Sequence, residues 1–322
     1  MARATGLGAV ARLTASVLYM CSGQIAGKFN MGHFQLGVSL AWPPLVLAGV
    51  WWTLTTDRRW PKALTAFAFA MLFFSGNIYY TLHTLLSAGV IALVFMVRRP
   101  RRKGGWSWRT AVNRGRLRAV VIAGAFAVGL SAVQVLPIWA ARAYISHPGD
   151  PALRSRSSVE VALAGYLQPH PEWARLKADN HLFEGVEYAY VGPLAFVALG
   201  LPLLYVRRRD PDFDWRAPAV AVILFVLMFA WATGASPLFN WLYARVDLLA
   251  QFRYIGRAHA FGVLWLAIMI GLVVDVGWRL IWRMQWPQSG RSRGRNRGLR
   301  PAQSPVKRPS AIVCWGWRRG PR

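Results

Sequence analysis

What most limits this chain is the length of its apolar blocks, which cover residues 7–26, 34–54, 63–74, 78–97, 119–141, 189–206, 217–233 and 259–282. A helix on a soluble core keeps its apolar residues on one face, at spaced positions. Blocks that are apolar all round need lipid instead. A helix rises about 1.5 Å per residue, so about 20 apolar residues are needed to cross roughly 30 Å of hydrocarbon. With 55% of its 322 residues hydrophobic, the chain is expected to be an all-α polytopic membrane protein of about eight transmembrane helices. The third block is short, but basic residues flank the third and fourth blocks together, so that pair is expected to cross twice. Ser75-Gly76-Asn77 supplies the turn between them, since Gly and Asn tolerate left-handed backbone.

A net charge of +27 in a soluble protein would suggest nucleic acid. Its distribution argues against that partner. All but nine of the 39 basic residues fall on one side of an eight-span chain whose N-terminus is cytoplasmic, in short loops and in the stretch from Arg279 onward. The nine are Lys28, five within 142–188, Arg245, Arg253 and Arg257. Positive loops of this kind stay in the cytoplasm, which predicts a multi-pass membrane protein with both termini inside. The membrane domain is 1–286, and 287–322 is a basic tail rich in Arg, Gly, Ser and Pro that is expected to be disordered.

The same topology puts all six histidines, His33, His83, His147, His170, His181 and His259, on or near the outer face. Seven of the twelve acids join them: Asp150, Glu160, Glu172, Asp179, Glu184, Glu187 and Asp247. Groups able to do acid, base or ligand work therefore lie outside, while the cytoplasmic loops are mostly arginine. Cys21 and Cys314 are far apart in this topology and form no disulfide.

The outer loop 142–188 is too long for a plain connector. Ser157-Ser158-Val159-Glu160 reads as a capping box opening a short amphipathic helix to Leu167, with Val159, Leu163 and Tyr166 on one face. Pro171-Glu172-Trp173 reads as the first turn of another. Residues 236–258 have the same amphipathic character. Such helices lie on the membrane surface or cap the bundle.

Lys28, Asn30, Gly32 and His33 close the outer turn between the first two spans, where a glycine beside a histidine lets a ligand approach the backbone. Arg253 and Arg257, four apart just outside the last span, could grip a lipid phosphate. Glu184, Glu187 and Tyr188 stand just before the sixth span. Asp275 and Arg279 share a helix face two turns from the cytoplasmic end and read as a structural pair. His170, Glu172, Asp179 and His181 are conceivable ligands for a divalent metal, but they lack a recognised ligand spacing, so no metal or cofactor is expected. There is no phosphate-binding Gly-rich loop, dinucleotide turn or nucleophile elbow.

Several segments then form a pattern: Gly32-His33 with Ala41-Trp42-Pro43-Pro44-Leu45, Ser75-Gly76-Asn77-Ile78-Tyr79-Tyr80, Gln134-Val135-Leu136-Pro137, Glu187-Tyr188-Ala189-Tyr190-Val191-Gly192, and Phe252-Arg253 to Gly256-Arg257. In order and placement, over roughly 9–276, they resemble the bacterial YfhO-like membrane proteins. That group is similar to the GT-C glycosyltransferases, which use polyprenyl-phosphate sugars on the outer face. The resemblance implies an inverting transfer in which an outer carboxylate takes the acceptor proton and a cation steadies the departing lipid phosphate. Under this resemblance Arg253 and Arg257 are the candidates for phosphate contact and His33 and Glu187 for lining the acceptor or donor cavity, while the catalytic residue is not identified beyond Glu187 as a candidate. In such enzymes the catalytic acid sits in the first outer loop, yet here residues 27–33 contain no Asp or Glu. The chain therefore reads as an N-terminally shortened and potentially inactive member. The alternative is a polytopic membrane protein without catalysis, serving lipid binding, transport or envelope assembly.

Overall fold

The computed structural model describes residues 1–30, 32–96, 114–140, 159–167, 189–192, 216–234, 237–245 and 255–285. The described elements are all helical, without strands. The chain divides into two compact units, Met1–Ile281 and Trp282–Arg322, and of the second only 282–285, the end of the last helix, is described. The helices are α1 (Ala9–Met20), α2 (Gly23–Asn30), α3 (Phe34–Ser39), α4 (Trp42–Thr55), α5 (Trp60–Phe74), α6 (Ile78–Met96), α7 (Arg114–Ala140), α8 (Val159–Leu167), α9 (Arg216–Thr233), α10 (Pro237–Arg245) and α11 (His259–Gln285), with a 3₁₀ turn at Ile255–Ala258 leading into α11.

Among the described residues four helical segments are long and apolar enough to cross a membrane: Phe34–Thr55, formed by α3 and α4, Ile78–Phe95, Arg216–Thr233 and Ile255–Arg279. The apolar parts of α5 and α7, Trp60–Phe74 and Arg118–Gln134, are shorter. The expected first span is divided at Cys21-Ser22 into α1 and α2, of 12 and 8 residues. The expected sixth span, 189–206, and the tail 287–322 lie outside the described residues apart from 189–192, which are not helical.

The junction of α3 and α4 follows from two prolines. Pro43 and Pro44 stand in the first turn of α4, where a missing N–H is tolerated. The same missing donors prevent the ladder of α3 from continuing, because the carbonyl that Pro44 would serve in an unbroken helix is that of Leu40. The buried Tyr19 hydroxyl donates to this carbonyl at 2.8 Å, so one side chain of α1 repairs the break and fixes α1 against it.

Close packing does the rest. A Cβ on Gly49 of α4 would lie 3.0 Å from the backbone of Thr65 in α5, the near approach of backbones that small residues permit between membrane helices. At the far end of α11, Asp275 accepts the Gly8 N–H at 2.9 Å while holding Arg279 at 2.7 Å. The expected structural pair thus also satisfies a donor at the start of α1. Gly271, farther up α11, leaves room for Leu7, Ala11 and Ala15.

The expected amphipathic helix in the outer loop is α8, but the face it buries differs from expectation. Val159 and Leu163 are exposed, whereas Ala162, Gly165 and Tyr166 are buried. The helix docks by Tyr166, whose ring packs on Phe225 and Phe229 of α9, because Gly262 of α11 leaves a notch for its hydroxyl.

Candidate functional site

One end of the bundle collects the polar groups. Gly32 has φ +73°, its N–H donates to the Phe29 carbonyl at 3.0 Å, and the His33 N–H donates to Lys28 at 2.8 Å. This pair of bonds about a left-handed glycine is the Schellman closure of a helix. A Cβ at Gly32 would meet nothing within 4 Å, so within the protein it is the positive φ, and no crowding by neighbouring atoms, that calls for glycine here. Gln35 then donates from Nε2 to the Ser75 carbonyl at 2.8 Å, which joins the first turn to the Ser75-Gly76-Asn77 turn, where Gly76 has the expected positive φ of 73°.

Lys28 does not stay in the turn. It belongs to α2 and its side chain is fully buried, within electrostatic reach of His259. The ring of His259 lies with Nδ1 3.2 Å from the Tyr166 hydroxyl. Burial pushes the Tyr166 phenol up, so it remains a neutral hydroxyl at physiological pH. Residues 189–192 tie the same elements together: the Tyr166 carbonyl accepts from Val191 and Gly192 at 3.3 Å, and the Tyr190 carbonyl accepts from Gly23 at 3.3 Å.

Arg257, in the 3₁₀ turn, places its guanidinium carbon 4.5 Å from the centre of the Tyr79 ring, a cation–π contact. It lies within electrostatic reach of Tyr80 and His83. His83 packs between Trp231 and Phe261, with ring centres 5.6 and 5.4 Å away. Two cations, two imidazoles and three phenols from five elements thus converge at one end of apolar helices. The grouping suits recognition of an anionic or hydroxyl-rich ligand, since each member donates hydrogen bonds or carries positive charge.

Of the residues expected from the sequence, Arg257 belongs to this cluster, and His33 follows directly on the helix that carries Lys28. His33 is half-buried and its Nδ1 has no hydrogen-bond partner among the described residues. Glu187 and Arg253 lie outside the described residues, as do Glu184, His147, His170 and His181. Among the described residues no group of three or more His, Cys, Asp or Glu side chains could hold a metal ion.

Sequence reading missed the convergence of Lys28, His83, Tyr166 and His259. The signal available was polar side chains inside apolar blocks, which are costly in lipid and therefore face protein. Comparison with protein families, curated proteins and solved structures finds no match.

Proposed function

We propose that this chain is a GT-C-type, YfhO-like membrane protein that handles a polyprenyl-phosphate sugar on the extracytoplasmic face of a bacterial inner membrane. The observation that carries the reading is the gathering of buried Lys28, His83 and His259 with half-buried Arg257 at one end of an apolar helical bundle. A lipid-linked phosphate needs that combination, with hydrocarbon alongside for its tail and fixed positive charge at the depth of its headgroup.

In the transfer, the acceptor hydroxyl oxygen attacks the anomeric carbon and the bond from that carbon to the phosphate oxygen breaks. The acceptor proton passes to Glu187, the electron pair leaves with the lipid phosphate, and configuration at the sugar inverts. Arg257, with Arg253, steadies the charge that develops on the phosphate. His33 lines the cavity.

The test is sugar transfer by the full chain reconstituted with polyprenyl-phosphate hexose donors. Arg257→Ala and Glu187→Gln are each expected to lower the rate about 10²-fold or more. Unchanged rates in both would remove them from the site.

A second reading, a polytopic membrane protein without catalysis, is favoured by where the described carboxylates stand. Asp57 and Glu160 are exposed, and Asp275 is engaged by Gly8 and Arg279. Under this reading the wild-type chain binds the lipid donor and transfers nothing.

A further inference from the structure

The buried face of α6 is polar for its first half. Asn77, Tyr80, His83, Thr84 and Ser87 fall within about one third of the helix circumference, at about 100° per residue, and each is 4% exposed or less. Thr84 donates to the Tyr80 carbonyl at 2.6 Å, and Asn77 Oδ1 accepts the Tyr80 N–H at 3.2 Å. The remaining atoms have no such outlet. Asn77 Nδ2, Tyr80 Oη, both ring nitrogens of His83 and Ser87 Oγ have no hydrogen-bond partner among the described residues.

The facing helix adds another. Phe261 of α11 lies against His83 and Tyr80, with ring centres 5.4 and 6.2 Å away. Trp265 is four residues on, hence on the same face and about 6 Å deeper, near the level of Thr84 to Ser87. Its Nε1 is also buried and unpartnered among the described residues. Below Ser87 the seam changes character. Ile91 and Phe95, on the same face of α6, are buried and apolar, and Phe95 closes edge-on against Trp51 at 4.7 Å.

Polar atoms in hydrocarbon must be satisfied inside the protein or by a polar guest, because neither lipid nor apolar side chains can serve them. One orphaned hydroxyl, such as that of Thr53 or Ser131, is a local imperfection. A run along one helix face and its partner is a path with several partners at each step, which is what a bound water requires.

We propose that the seam between α6 and α11, from Asn77 to Ser87, is a hydrophilic inlet. It admits water and small polar solutes from the His33–Arg257 end of the bundle to about the middle of the span, where Ile91 and Phe95 stop it. Ten residues of helix are about 15 Å, half of a hydrocarbon core of about 30 Å. The inlet does not depend on sugar transfer, and a chain without catalysis would have it equally.

Hydroxyl-radical footprinting of the unmodified full chain in lipid nanodiscs tests it, because radicals generated from water mark side chains that touch water. After correction for intrinsic reactivity, Tyr80 and His83 are expected to be oxidised at least about tenfold faster than Phe95, which belongs to the stop, and Trp51, which packs against it, although all four are deeply buried. Equal protection of all four would overturn the inlet, whatever the outcome of transfer assays. Its depth is read separately with Cys21→Ser and Cys314→Ser as background. Ser87→Cys is expected to react with a small water-soluble methanethiosulfonate about 10²-fold faster than Ile91→Cys, a reaction that needs the hydrated thiolate. Equal rates would place the stop elsewhere and refute the stated depth.

Discussion

At Gly262 a single missing methyl group decides how α8 docks. Any Cβ there would run into the Tyr166 hydroxyl, which is itself beside His259 Nδ1. Gly262→Ala is therefore expected to cost about 1–3 kcal/mol, the usual penalty for overpacking a close-packed site. Tyr166→Phe alone loses the buried contacts of the hydroxyl with the His259 carbonyl and Nδ1, about 1–2 kcal/mol. Together they should cost less than their sum, because removing the hydroxyl clears the space that the new methyl needs. Thermal unfolding in detergent of the two single variants and the double variant measures this coupling, and strict additivity would mean that Tyr166 does not sit in the notch. The residue scale is also where the sequence was least legible. Arg257 could be singled out because a cation beside a span is conspicuous. Lys28 read as a turn residue, since nothing in the order of residues says that α2 rolls it into the bundle. Gly32 was legible as a turn glycine, and its φ of 73° is why the turn calls for one.

Among the elements, the contact of α4 with α5 rests on Gly49. Its Cβ position lies 2.5 Å from the Thr65 hydroxyl and 3.0 Å from Thr65 backbone atoms, and that hydroxyl is already held by the Pro61 carbonyl at 2.7 Å. A side chain cannot enter without moving backbone, so Gly49→Val is expected to destabilise the bundle by at least about 1–3 kcal/mol, read as a lowered unfolding midpoint in detergent. Gly89 of α6 has open space around its Cβ position, so Gly89→Ala should leave the midpoint within about 0.5 kcal/mol or raise it slightly, alanine being the better helix former. The element scale was mostly legible. The apolar blocks at 34–54, 78–97, 217–233 and 259–282 correspond to the four helical segments long enough to cross, because block length is set by hydrocarbon thickness and not by tertiary detail. The division of the first block was not legible. No proline marks it, and the break is made by Ser22, whose hydroxyl takes the Tyr19 carbonyl at 2.7 Å, a side-chain bond that competes with the helix ladder.

For the whole molecule, the decisive question is which end of the bundle faces the cytoplasm, and the geometry sorts the groups that bear on it into two ends. Gln35 joins the turn after His33 to the turn at Ser75, and Arg257 meets Tyr79 two residues beyond Asn77. These groups therefore share one end. Arg216 stacks on Phe95 at the last turns of α6, which belongs to the other end. The basic connections flank that second end, and positive loops are retained in the cytoplasm, so the end with His33 and Arg257 is expected outside. His33 and Arg58 flank the crossing segment Phe34–Thr55 and must lie on opposite faces if it spans. With Cys21→Ser and Cys314→Ser as background, His33→Cys is expected to react with a membrane-impermeant maleimide on intact cells, and Arg58→Cys only after the membrane is opened. The reverse pattern would invert the protein and put Arg257 where no exported lipid phosphate could reach it. Labelling of both positions on intact cells would deny that Phe34–Thr55 crosses at all.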